Sequence, residues 1–90
     1  MPSYIVETYL THRLAPERLA REEWARAAAA ELSQGGKTSR FEFAIHVPED
    51  EICFFVFDAE SADQAALTAQ RAGLDPIRVV EAVTIEGTKR

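Results

Sequence analysis

From Ile52 to Phe57 the chain runs through six apolar residues without interruption, with Asp50-Glu51 before them and Asp58 after. A strand with one wet face alternates apolar and polar positions, so a strand that never alternates is covered on both faces. In a chain of 90 residues a single layer of helices covers one of those faces. A second copy of the chain is the expected cover for the other.

The flanking segments have different periods. Ser3 to Leu10 alternates, with Tyr4, Val6, Thr8 and Leu10 on one side and Ile5, Glu7 and Tyr9 on the other. That is strand spacing, rich in β-branched and aromatic residues. Leu14-Ala15-Pro16-Glu17 opens a helix, because Pro at the first helical position sacrifices no needed donor and Glu17 suits the positive end of the helix dipole. Ala20, Trp24, Ala27, Ala28 and Leu32 recur at helical spacing and are read as its buried stripe, with Trp24 in the core. Glu17 with Arg21 and Glu22 with Arg26 make i,i+4 pairs on the wet side, and Gly35-Gly36 ends the helix.

Phe41, Phe43, Ile45 and Val47 then alternate with Arg40, Glu42, Ala44 and His46, as in a half-wet strand at a sheet edge. Pro48-Glu49-Asp50 is a turn, too short for anything but an antiparallel hairpin into the all-apolar strand. Ser61 caps a second helix whose Ala62, Ala65, Ala66 and Ala69 form a small-residue face, and Gly73 ends it. After Asp75-Pro76, Ile77 to Ile85 reads as the last strand. Residues 1–86 form one domain and 87–90 a polar tail.

The order is βαββαβ. With right-handed crossovers and the apolar third strand at the centre, it gives an α+β fold of the ferredoxin-like kind. Its antiparallel sheet runs 4-1-3-2 with both helices on one face. The helix-free face carries apolar residues, so two sheets are expected to pack face to face as a dimeric α+β barrel. One of the sets Cys53-Phe55-Phe57 and Ile52-Phe54-Val56 then meets the helices and the other the partner.

Composition agrees with a small dimer. The chain is 47% hydrophobic, and a domain of this length buries only about 60–65% of its unfolded surface, a deficit that association relieves. A net charge of −5 with arginines interspersed among glutamates argues against nucleic acid. No apolar run approaches the length of a membrane span and no signal-peptide pattern opens the chain, so a cytoplasmic location is expected. The single cysteine, Cys53, lies between apolar neighbours with no cation or helix start beside it, and reads as a buried, unreactive thiol.

A few residues could carry chemistry. Glu42 and His46, four apart on a strand, are expected to share a face, where imidazole and carboxylate begin a nickel or zinc site; the alternative is a solvated edge. His12, in the loop after the first strand, could reach a metal across a subunit boundary; the alternative is a solvated loop His. Glu7 stands mid-strand beside Tyr9 and needs a partner, either a small ligand in acid–base work or an ion pair across the dimer with Arg40 or Arg78.

Tyr4-Ile5-Val6-Glu7, Leu14-Ala15-Pro16-Glu17-Arg18-Leu19, Cys53 to Ala59 and Arg71-Ala72-Gly73-Leu74 before Ile77-Arg78 give the chain a resemblance over nearly its whole length. It resembles a family of small bacterial proteins, known by a domain-of-unknown-function name, that includes nickel-binding members with a dimeric ferredoxin-like fold. The resemblance implies a small homodimeric binding protein for a transition metal such as nickel. Family members carry one His before the hairpin and another in the second helix; here His46 is the counterpart of the first, and Thr68 stands near the second position. The architecture also resembles cofactor-independent monooxygenases and isomerases. In that alternative a closed cavity lined by Tyr4, Tyr9, Phe55 and Phe57, with Glu7 or His46 at its wall, holds a small apolar substrate.

Overall fold

The computed structural model describes residues 1–83 and 85. Strand β1 (Ser3–Tyr9) leads through a 3-10 segment, His12–Glu17, into helix α1 (Arg18–Gln34). Strand β2 (Ser39–Val47), a 3-10 turn at Pro48–Asp50 and strand β3 (Ile52–Ala59) make the hairpin, and helix α2 (Ala62–Arg71) and strand β4 (Arg78–Ala82) complete the chain. The four strands pair antiparallel in the order β2-β3-β1-β4, which is the expected 4-1-3-2 sheet with β3 inside and β2 at an edge.

Both helices lie on the face presented by Tyr4, Val6, Thr8, Cys53, Phe55 and Phe57. Phe55, Phe57, Val6, Leu10 and Leu74 are fully enclosed there, and the ring of Phe41 lies 6.3 Å from that of Phe55 and 5.6 Å from that of Phe57. Of the two third-strand sets, Cys53-Phe55-Phe57 therefore meets the helices. Alanines let the helices approach: Ala25, Ala28 and Ala29 of α1 and Ala65 and Ala69 of α2 are buried. The Arg71 guanidinium donates to Glu31 at 2.7 Å, tying the two helices at the surface.

The helix ends follow their sequence signals. Ser61 Oγ accepts the Gln64 N–H at 3.1 Å. Gly73 closes α2 at φ +76, a conformation that side chains resist, with Leu74 N–H donating back to the Ala69 carbonyl at 3.0 Å. Gly36 turns the chain after α1 in the same way, at φ +88.

Three expectations change. The buried stripe of α1 is Ala25, Ala28, Ala29 and Leu32, one step round from the expected one, and Trp24 is 40% exposed rather than in the core. A row of alanines seats the helix closer to the sheet than a Trp would allow, and the indole instead lies under the Arg21 guanidinium, 5.7 Å from the ring centre. The α-helix proper begins at Arg18 and not at Pro16, which lies inside the 3-10 segment. Strand β4 stops at Ala82, short of Ile85, where its ladder with β1 ends at the Ser3–Ala82 pair; Pro2, next in line, has no N–H to extend it and gives its carbonyl to the Ala59 N–H. The tail at 87–90 lies outside the described residues.

The largest departure is in β2. Its register with β3 shifts between Phe41 and Phe43, so that Glu42 is the extra residue of a bulge. Before the bulge Phe41 faces the helices opposite Phe57; after it Phe43, Ile45 and Val47 turn to the helix-free face opposite Val56, Phe54 and Ile52. Ala44 and His46 turn inward instead, opposite Phe55 and Cys53.

Candidate functional site

Residues directly paired across an antiparallel sheet point to one face, so the register orders the helix-free face into rows. The first is Val47–Ile52–Tyr9, the second Ile45–Phe54–Glu7–Arg78, and the third Phe43–Val56–Ile5–Val80. A fourth, Arg40–Asp58–Ser3–Ala82, forms a rim. Apart from Glu7 and Arg78, the first three rows are apolar or aromatic. Tyr9 is 66%, Ile45 52% and Phe43 42% exposed, on a face that no element among the described residues covers. It is the most distinctive surface of the molecule.

The rim is polar and internally satisfied. Arg40 Nε donates to Glu42 Oε2 at 2.7 Å and its terminal nitrogen to Asp58 Oδ2 at 2.9 Å, while Ser3 Oγ donates to Asp58 Oδ1 at 2.7 Å. Burial pushes the Asp58 carboxyl up, but its contacts with Ser3, Glu42 and Arg40 outweigh that, and its pKa lies below the ordinary 3.8. A carboxyl depressed by folding adds stability that is present above its unfolded pKa and is lost as pH falls through its folded one. Melting temperature is therefore expected to drop on acidification below pH 3.8, and Asp58→Asn should flatten that part of the profile. Since Arg40 is largely exposed, water screens the pair and the effect is modest.

The expected metal ligands are not brought together. The bulge places His46 on the inner face beside Cys53, whereas Glu42 is engaged by Arg40 at the rim, so the two do not share a face. Both His46 ring nitrogens are shielded from solvent and meet no hydrogen-bond partner among the described residues. His12 is committed to the hairpin: its ring Nε2 lies 3.0 Å from the Pro48 carbonyl oxygen, and its backbone N–H donates to Glu51 Oε2 at 2.8 Å. Glu51 holds that position from a left-handed backbone, φ 55. In α2, Thr68 Oγ1 donates to the Gln64 carbonyl at 2.9 Å and lies 2.8 Å from Ser39 Oγ, a buried hydroxyl pair joining α2 to β2. Among the described residues no three His, Cys, Asp or Glu side chains converge as a metal site. Nickel titration decides the expected His46 site: a saturable isotherm lost in His46→Ala would bear it out, and an isotherm unchanged in that variant, or none at all, would rule it out.

The residues of the expected substrate cavity are divided between the two faces of the sheet. Tyr4, Phe55 and Phe57 are core residues on the helix side, while Glu7 and Tyr9 lie on the opposite face. Phe55 and Phe57 are 0% exposed. A cleft of about 510 Å³ opens between the end of α1 and the start of β2, with Ala29, Ala30, Ser33, Thr38 and Phe41 among its walls. The arginines at its rim are occupied, Arg40 as above and Arg26 by Glu22 at 3.3 Å.

Cys53 is buried as expected, although His46 stands opposite it in the β2–β3 ladder and a cation lies within reach. The cysteine is 2% exposed, and burial raises its thiol pKa, only partly opposed by the charge of Arg21. A disulfide reagent at neutral pH should leave the native thiol unmodified and titrate one thiol after unfolding. Fast reaction of folded protein would contradict the packing described above.

Sequence reasoning missed Phe43 and Ile45 as members of the helix-free face, and it left Arg78 as one of two possible partners for Glu7. For β2 the simple alternation pointed the wrong way beyond the bulge. For Arg78 only the β1–β4 register shows that it stands directly opposite Glu7.

No protein-family model matches the chain, and no curated protein matches it. Among solved structures it is similar to SCO4226 from Streptomyces coelicolor A3(2), known from a crystal structure analysis. The TM-score is 0.71 at 17% sequence identity, over 93% of this chain and 99% of that one. The two share a fold over nearly their full lengths. No helix among the described residues is long and apolar enough to cross a membrane.

Proposed function

We propose that this chain is one subunit of a homodimeric binding protein, in which two sheets pack by their helix-free faces. The observation that carries the reading is the apolar field of Val47, Ile52, Tyr9, Ile45, Phe54, Phe43, Ile5 and Val80, spread across all four strands and left uncovered by the helices. A standard protein interface buries about 800 Å² per partner. At ~25 cal/mol per Å² of apolar surface, a mostly apolar face of that size is worth on the order of 10 kcal/mol per copy before association costs. That is comparable to the whole stability of a small domain. The arrangement is the dimeric α+β barrel expected from the chain's two-sided third strand.

Binding is favoured over catalysis because the groups that would make a substrate chamber are divided between the two faces of the sheet. Thermal unfolding over a hundredfold range of protein concentration tests the proposal. Coupled dissociation and unfolding raises the melting temperature with concentration, whereas a concentration-independent midpoint would refute the dimer.

A further inference from the structure

We infer that the two copies are held in register by Glu7 and Arg78, each reaching across a two-fold axis that runs along the Ile45–Phe54–Glu7–Arg78 row. This inference rests on the dimer proposed above and specifies its geometry.

The first ground is position. That row is the middle one of the three apolar rows, flanked by Val47–Ile52–Tyr9 on one side and Phe43–Val56–Ile5–Val80 on the other. In a two-fold interface the same patch serves both copies, with residue i on j and j on i. An axis along the middle row lays the first row of one copy over the third row of its partner, apolar on apolar. It also leaves the Arg40–Asp58–Ser3 network at the periphery, where water reaches it.

The second ground is charge. Glu7 and Arg78 are the charged members of the three rows, of opposite sign, and directly opposed in the β1–β4 register. Among the described residues neither makes an ion pair, with the other or elsewhere, although Glu42, Asp58, Glu31, Glu17 and Glu22 all do. Arg40, the other cation on this face, is already held by Glu42 and Asp58. Burying a carboxylate and a guanidinium in an interface demands that they be paired. With the axis along their own row, Glu7 faces the partner's Glu7 and Arg78 faces the partner's Arg78, one strand spacing of about 4.8 Å away. The four charges form a neutral cluster of crossed pairs. A second copy shifted along the strands, or turned so that β1 lies over β3, would set these charges against apolar side chains. Register is thereby specified as well as affinity.

Charge reversal with mixing tests this. Glu7→Arg alone brings four cations to the axis and Arg78→Glu alone four anions, so each variant should dimerise at least about tenfold more weakly than wild type. Their equimolar mixture restores two of each sign, and the heterodimer should approach wild-type affinity, read by energy transfer between differently labelled variants. Glu7→Gln, which keeps the side-chain shape, should also weaken the dimer, by about tenfold. Were Glu7 and Arg78 to pair only within one subunit, mixing would bring no recovery. That outcome, or wild-type affinity in Glu7→Gln, overturns the inference while a dimeric wild type keeps the broader proposal standing. A monomeric wild type overturns both.

Discussion

Phe54→Asp should convert the proposed dimer into folded monomers. Phe54 lies in the central row of the helix-free face, between Ile45 and Glu7, and a two-fold axis there brings both copies of the new carboxylate together. An unpaired charge forced into such a site costs about 3–5 kcal/mol, which corresponds to at least about a hundredfold weaker association. In sedimentation the variant should run as the smaller species at concentrations where wild type does not, and its melting temperature should no longer depend on concentration. Its helical circular dichroism should persist, because the residue touches neither helix. A Phe54→Asp protein that stays dimeric would place the interface elsewhere.

The next residue along is expected to behave in the opposite way. Phe55 is 0% exposed on the helix side and packs against Phe41 and the alanines of both helices. Phe55→Ala leaves a cavity in a region with little freedom to collapse, at a cost of about 3–5 kcal/mol. Against a total stability of about 5–15 kcal/mol for a small domain, that brings the chain close to unfolding at ambient temperature. The denaturant midpoint should fall steeply. Loss of association would follow only as a consequence of lost folding, so the ratio of dimer to folded monomer should change far less than in Phe54→Asp. Equal behaviour of the two variants would mean that β3 does not separate two distinct surfaces.

That contrast between neighbours shows how much the chain declares in its own pattern. Six uninterrupted apolar residues announce a doubly covered strand, and the structure places β3 inside the sheet with the helices on one side. The mirrored element order, the Ser61 cap and the Gly73 stop are likewise readable, because each is a local preference reinforced by its neighbours. The failures share a cause: they depend on where elements sit relative to one another. Glu42 and His46 are separated by a bulge that contains no glycine or proline to betray it, and one inserted residue reverses every side chain beyond it. Trp24 reads as core because it falls on the apolar stripe at helical spacing, yet α1 is seated by Ala25, Ala28 and Ala29, whose value lies in being small. Glu7 was recognisable as a carboxylate in need of a partner, but the choice between Arg40 and Arg78 required the register and the knowledge that Arg40 is already bound by two acids.

Sedimentation equilibrium of the wild-type chain at micromolar concentration bears most directly on whether the helix-free face is an interface. Face-to-face pairing requires a species of twice the 10.0 kDa chain mass, dissociating only on strong dilution or together with unfolding. A stable, folded species of 10.0 kDa, with Phe43, Ile45 and Phe54 left facing water, would contradict it.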